Sequence, residues 1–370
     1  MPRRTIHPSE LQVGRPLPCD AYDAKGKLLL RKGQLLASAS QLERLARHAL
    51  FTDVATENEP EPPVHASPLG LVLAARRQLQ ELLETAPADA FVATLQRIAG
   101  MVRRACRANA DVALASILMR REGPHAGRHA LNAAIVCQVV GTAAGLAAPA
   151  LAATVAAALT MNIGMRELQQ RLRSQQAPLD EEQRAAVHAH CERGERMLRD
   201  LGVAHDAWLE AVRDHHERPD GSGYPAGKAG DALGLPARLL TIADLYCARV
   251  SERDYRPALA PNVALRRLFL NEGACVDEHL AALCIKTLGI YPPGTGVRLR
   301  NGSIAVVTHR GAAGNTPKVA LITTHDGLRF GAPIRRRGDM AAHAVSEVVD
   351  LAELQLEVGM EALWGADAAV

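Results

Sequence analysis

Two adjacent histidines followed by a glutamate stand in the run Asp214-His215-His216-Glu217-Arg218-Pro219-Asp220-Gly221-Ser222-Gly223-Tyr224-Pro225. Imidazoles serve as metal ligands, proton carriers or hydrogen-bonding groups. Neighbouring residues can both reach one ion only where the backbone changes direction, as at a helix end. Gly221 and Gly223 tolerate φ > 0, and Pro225 then fixes its own φ, so a tight turn follows the histidines. Taken alone, the triplet equally suits a solvated helix terminus. His125 and His129 are spaced i, i+4, which puts them on one helical face if Pro124 opens a helix. Arg335-Arg336-Arg337 carries enough charge to contact a phosphate, although a solvated loop is the expected setting for such a run.

The elements that must position these residues are helical from about residue 69 to 290. Leu71, Val72, Ala75, Leu79, Leu82 and Leu83 follow one helical period, and Phe91, Leu95, Ile98, Met101 and Val102 another. Leu179-Asp180-Glu181-Glu182 opens a further helix with an acidic first turn that suits the dipole, and it carries His188 and His190. Two more helices follow the histidine run, one holding Asp244 and one after Pro261. Residues 1–54 form a small α+β module, with a strand, turn and strand over residues 21–30. A short helix through Gln41, Leu42, Leu45 and His48 follows, capped by Ser38 or Ser40. Residues 55–68 are a proline-rich linker. Residues 291–370 are a small β-rich domain of two hairpins. Asn301-Gly302 forms a type I′ turn in the first, and Asp326-Gly327 turns the second.

Composition narrows the function classes. Of 370 residues 48% are hydrophobic but only 3% aromatic, which favours closely packed helices over a β-rich core. A formal charge of +3 predicts neither nucleic-acid nor membrane binding. The seven cysteines are scattered without a CxxC pair, as in a reducing cytosol. The uncharged stretch from about Val139 to Met161 passes a length rule for a membrane span. Its Ala-rich composition and Pro149 instead predict two buried core helices. The expected location is cytoplasmic.

The histidine run and the Gly-Tyr-Pro turn resemble the signature of HD-GYP domains, all-helical metal phosphohydrolases that cleave cyclic di-GMP. The resemblance covers about Pro124 to Leu268. It implies a mainly α fold, an HD-type helical bundle between the small N-terminal α+β module and the C-terminal β-rich domain. It also implies ligand positions that can be compared one by one. His129 matches the first family histidine, while His125 stands where the family has Glu. The His-Asp pair of the family's His-Asp-Ile-Gly-Lys run is replaced in Met161-Asn162-Ile163-Gly164-Met165. His190, four residues before Gly194, matches the next histidine, with His188 as the competing choice. His215 and His216 match the adjacent pair, and Asp244 the final carboxylate. Arg253 and Arg256 match basic positions near substrate phosphates.

In the family that aspartate bridges two metals. Divalent ions about 3.5–4 Å apart repel by roughly 18 kcal/mol at an effective dielectric near 20, which bridging anions normally offset. Asn162 is neutral and Met161 offers a soft thioether, so a binuclear centre is not expected and no catalytic residue is assigned. Two sets remain: His190, His215 and His216, and His125, His129 and Asp244. Either could hold one divalent transition metal (Zn, Fe, Mn or Ni), or both could stand without one. The preferred reading is a degenerate HD-GYP protein of cyclic di-GMP signalling with hydrolysis absent or strongly reduced. It acts by binding the nucleotide, or by docking a diguanylate cyclase or other signalling protein through Gly221, Gly223, Tyr224 and Pro225. The alternatives are a phosphodiesterase working with a mononuclear site, and a scaffold. A homodimer is open in each.

Overall fold

Asn109 shows how local sequence shapes the long helix on which the main unit is built. Helices α1 (Pro68–Thr85) and α2 (Ala88–Met119) pack as an antiparallel pair, and α2 breaks at Asn109, where φ is −155° and ψ 98°. The Asn109 Oδ1 accepts from the amides of Asp111 and Val112, both at 3.1 Å, and so restarts the helix as an N-cap. The computed structural model describes residues 3–5, 21–23, 27–31, 34, 51–53, 66–85, 88–172, 175, 177–252, 257–270, 276–311, 316–337 and 341–370.

The chain divides into two units, 1–65 and 66–370. In the first, β1 (Arg3–Thr5), β2 (Ala21–Tyr22), β3 (Leu28–Leu30) and β4 (Phe51–Asp53) form an antiparallel sheet in the order β1-β4-β2-β3. The strand pair expected over residues 21–30 is present. The helix expected over residues 38–48 lies outside the described residues.

The second unit continues with α3 (His125–Ala143) and α4 (Ala148–Thr160). Their facing Ala133, Ala134, Ala157 and Ala158 are fully buried, and such small side chains let the two backbones approach closely. Pro149 lies in the first turn of α4, where its missing N–H costs no helical bond. The uncharged run is therefore two helices. One window, 148–165, is apolar and long enough to cross a membrane, and 61% of it is buried. After a 3-10 turn at Ile163–Met165 come α5 (Arg166–Leu172), α6 (Glu181–Asp200) and α7 (Asp206–Asp214). Asp180 and Gln183 form a reciprocal capping box at the start of α6, with bonds of 2.7 and 3.1 Å. Then follow α8 (Leu235–Val250), α9 (Pro261–Leu270) and α10 (Glu278–Leu288). Two helices were expected after the histidine run; α10 is a third, capped by Asp277, which accepts from Leu280 N at 3.0 Å.

Strands β5 (Gly296–Leu299), β6 (Ile304–His309), β7 (Lys318–Thr323), β8 (Arg329–Arg337) and β9 (Val345–Val348) form an antiparallel sheet, ordered β8-β7-β6-β5-β9. The sheet belongs to the same unit as the helices. Val306, Ala320 and Ile322 pack with Val112 and Ala115 of α2 and with Leu363 and Trp364 of the short α11 (Met360–Trp364). Trp364 Nε1 donates to Thr308 O at 3.0 Å, and Arg310 bonds Asp111 at 2.5 Å and Thr287 O at 3.0 Å.

Two expectations for this region need correction. The Asn301-Gly302 turn is not type I′, which requires φ > 0 at both central residues. Only Gly302 is positive, at 89°, and bonds from Gly302 N to Leu299 O and from Leu299 N to Ser303 O close a longer loop with a glycine bulge. Gly327, also at 89°, closes the second hairpin in the same way, through Gly327 N to Thr324 O and Thr324 N to Leu328 O. Arg335-Arg336-Arg337 is not a loop. It lies in β8 at the sheet edge, where charged side chains discourage pairing with another chain.

The 3-10 turn lies directly against α6. A Cβ at Gly164 would fall 2.2 Å from His190 O and 2.6 Å from Gly194 N, inside a backbone hydrogen bond of that helix. At Gly194 a Cβ would meet nothing nearer than 3.4 Å. We expect Gly164→Ala to lose at least about 1–3 kcal/mol in urea unfolding, whereas Gly194→Ala changes stability by no more than about 1 kcal/mol. Equal losses from the two substitutions would contradict this account of the contact.

Candidate metal centre

The direction change required for two adjacent histidines occurs at the end of α7. His215 follows the last helical residue, and the chain then turns through a bond from Glu217 N to Asp214 O at 2.9 Å. Thr241 of α8 donates its hydroxyl to His215 O at 2.8 Å and holds that carbonyl in place. His215 is fully buried, and His190 comes to it from α6 with Nε2 to Nε2 at 3.4 Å. The ring centroids of His215 and His216 are 4.1 Å apart, and those of His190 and His216 5.1 Å. His190, Cys191, His215 and His216 each offer one ligand atom, all within 4.8 Å of one another.

The two facing rings have fixed tautomers. Nδ1 of His190 meets Val187 O, and Nδ1 of His215 meets Val212 O at 2.7 Å. A carbonyl only accepts, so each Nδ1 carries the proton and each Nε2 a lone pair. Burial lowers all three imidazoles: His190 and His215 lie below the usual range, and His216 is pushed down to about 4. For His215 the neighbouring His216 and His190 add to the effect. The rings are neutral near pH 7, the form that binds metal.

The second expected set is only partly assembled. His129 Nε2 bonds Asp244 Oδ1 at 2.7 Å, a buried pair between α3 and α8. Burial alone would raise the Asp244 carboxyl. The hydrogen bond and charge of His129, with His216 and His215 behind it, outweigh burial and hold it far below the usual carboxylate range. His125 stacks on His129 at 5.6 Å between centroids. Met161 is fully buried in the helical core, and Asn162 is half-buried at the start of the 3-10 turn. Arg253 and Arg256 lie outside the described residues.

The loop after the histidines is clamped by groups that are not in the metal set. The buried Glu217 carboxylate accepts from Ala226 N at 2.6 Å and from Lys228 N at 3.0 Å. Lys228 Nζ reaches Asp214 at 2.6 Å, and Arg213 bonds the same carboxylate at 2.8 Å. Tyr224 N donates to His216 O at 3.2 Å. A Cβ at Gly223 would fall 2.5 Å from both Arg218 N and Glu217 Cα, so this position accepts only glycine. The Tyr224 ring stacks on His188 at 4.3 Å and lies 4.8 Å from His216, beside a cavity of about 280 Å³ that Arg218, Thr241 and Leu245 also line.

Three residues have places that a reading of the sequence does not give. Cys191 looks like one scattered thiol until its neighbour His190 is placed on His215. His188, the competing choice to His190, instead lines the cavity and stacks on Tyr224. Glu217 is readable as part of a triplet but not as a loop clamp, because its acceptor role needs the backbone path. The donor set fits one cation: two facing lone-pair nitrogens, a third imidazole and a thiol, all buried or nearly so. His129 Nε2 and Asp244 Oδ1 already bond each other in this arrangement, and among the described residues the donors drawn together are His190, Cys191, His215 and His216.

Comparison with known proteins agrees with the fold. The model of the HD domain family matches residues 89–280. A cyclic di-GMP phosphodiesterase of Pseudomonas aeruginosa is 35% identical over 136 residues, 36% of this chain and 33% of that protein. A 3'3'-cGAMP-specific phosphodiesterase of Vibrio cholerae is 33% identical over 135 residues, 36% of this chain and 29% of that protein. The match thus spans about a third of the length of these curated relatives. An HDG"Y"P protein of Bdellovibrio bacteriovorus superimposes with a TM-score of 0.50 at 16% identity, over 76% of this chain and 98% of that one, a likeness of fold.

The clamp gives a direct test. Glu217→Gln leaves one acceptor oxygen and turns an NH₂ donor toward a backbone N–H. We expect a loss of about 1–3 kcal/mol and faster amide exchange at Ala226 and Lys228, with exchange in α3 and α4 unchanged. Unchanged exchange at both loop amides would remove Glu217 from this role.

Proposed function

This chain belongs to the HD domain family, and from that premise we propose that it is a degenerate HD-GYP protein of cyclic di-GMP signalling. It binds a cyclic dinucleotide, docks a signalling protein through the Gly-Tyr-Pro loop, or does both, with hydrolysis absent or strongly reduced. The observation that carries this reading is Met161. Where the resemblance expects a metal-ligating histidine, a thioether with no exposed surface is packed into the apolar core. Asn162 takes the place of the bridging aspartate and brings no charge. Asp244 is then the only carboxylate in the matched set, and its charge is already engaged by His129 at 2.7 Å. Two cations a few ångströms apart would lack the anions that normally offset their repulsion.

Support for the binding half comes from the cavity beside His216. Its wall combines the flat faces of Tyr224 and His188 with the Arg218 guanidinium, groups that suit a base and a phosphate respectively. The similarity to cyclic di-GMP and cGAMP phosphodiesterases makes a cyclic dinucleotide the first ligand to test. A second reading, a phosphodiesterase with one metal, is favoured by the 3.4 Å approach of the two lone-pair nitrogens. In it His190, His215 and His216 hold the ion. The metal supplies an activated water for attack on phosphorus when bound.

Titration of the full-length protein with cyclic di-GMP, and with isolated diguanylate cyclase domains, separates these readings. Incubation with the nucleotide in Mn²⁺, Fe²⁺ or Zn²⁺ runs alongside. We expect binding to the nucleotide or to the cyclase domain without measurable turnover. Turnover that disappears in His215→Ala would replace the degenerate reading by the enzymatic one, and binding to neither partner would end it.

A further inference from the structure

The arginines of β8 take no part in the histidine centre or the Gly-Tyr-Pro loop, and they stand on an open sheet edge. β8 bonds β7 along one side, and among the described residues no backbone group pairs with its other side. Alternate residues of such a strand turn their N–H and C=O groups away from the ladder. Pairing is regular from Leu321↔Ile334 to Lys318↔Arg337 and shifts beyond it, where Thr323 meets Arg329. Pro333 has no N–H and bounds the irregular part. The edge able to take a further strand therefore begins at Ile334 and carries the arginines.

Charge gathers at the same end of the sheet. β6 ends at His309, β7 starts at Lys318 opposite it, and Lys318, Arg335 and Arg336 are exposed. Arg335 Nη2 reaches the Leu363 carbonyl at 3.4 Å, and Arg336 Nη1 the carbonyl of Arg335 at 2.9 Å. Among the described residues no carboxylate pairs with Lys318, Arg335 or Arg336, and Asp111 nearby is already taken by Arg310. Burial lowers the His309 imidazole, and against Asp111 the charges of Lys318, Arg335 and Arg310 lower it further, so these cations act on one spot.

Like charge keeps this edge from pairing with a second copy of itself, and the same charge selects an opposite one. Successive strand residues point to opposite faces, so a strand that meets both Arg335 and Arg336 needs acidic residues at neighbouring positions. Rings able to stack a nucleobase are turned inward here. Tyr291 and Phe330 pack in the sheet's own apolar cluster, and Trp364 in the one shared with α2. We infer that the β8 edge from Ile334 to Arg337 is a docking site for an extended acidic segment of a partner protein, which adds to the five-stranded sheet as a further strand. The segment's backbone pairs with the outward N–H and C=O groups of β8. One carboxylate pairs with Arg335 on the face it shares with Lys318, and the next with Arg336 on the other face. None of these residues belongs to the histidine set or to the Gly-Tyr-Pro loop, so the inference stands apart from the function proposed above.

The test uses the full-length protein and a fluorescent hexaglutamate peptide. We expect saturable binding that weakens as the Debye length falls from about 30 Å at 0.01 M salt to about 8 Å at 0.15 M. Bound peptide should slow exchange of the outward amides among residues 334–336 by at least about threefold. Hexaglutamate with every backbone amide N-methylated keeps its charge but cannot donate to the edge, and should bind at least about tenfold more weakly. Arg335→Glu with Arg336→Glu should weaken the unmethylated peptide by at least about tenfold. Arg336→Glu alone, whose native side chain meets a neighbouring carbonyl, should weaken it in the same direction and serves if the double variant does not fold. Equal binding of the methylated peptide, protection confined to residues outside β8, a thymidine hexamer that binds as tightly as the peptide, or no binding would each overturn the inference.

Discussion

The geometry of the centre depends on one backbone contact, the approach of Gly164 to α6 at His190 O and Gly194 N. No side chain fits between these segments. Because the 3-10 turn rests on α6 itself, Met161 just before it is drawn into the core, and His190 on the opposite side of the contact faces His215. The Asp180–Gln183 capping box fixes where α6 begins, and Thr241 fixes the carbonyl of His215 from α8. Three elements thus converge on two imidazoles, whose Nδ1 atoms are held by carbonyls and whose Nε2 atoms face each other.

Charge explains why the centre is polar yet buried. The imidazoles of His190, His215 and His216 are neutral, so they escape the large cost of an unpaired buried charge. The Asp244 carboxylate beside them meets His129 at 2.7 Å. The neutral histidine cluster thus lies next to a hydrogen-bonded histidine–carboxylate pair.

Much of this architecture is legible from residue type and spacing. Pro124, Pro149 and Asp180 mark helix starts because a missing N–H or a side-chain acceptor suits only a first turn. The histidine run reads as a helix end because adjacent side chains cannot otherwise converge. The failures have physical causes too. Asn301-Gly302 signals a turn but not its type, since loop length is set by which strand residues pair, and here Leu299 bonds Ser303. The arginine run has no apolar alternation, yet β8 forms because its backbone completes β7. Cys191 carries no spacing signal, because its relation to His215 is made by helix packing across 24 residues.

The loop and the metal donors are separable in a way the sequence conceals. His215 and His216 share their run with Asp214 and Glu217, but the acidic pair holds the loop, through Lys228 and the amides of Ala226 and Lys228. Gly223 is required by close approach to Glu217 and Arg218, not by any ligand. The loop's shape therefore rests on contacts that need no ion, and none of these contacts involves Asn162. A twelve-residue run can keep its full signature for the sake of its turn, whatever chemistry its histidines perform.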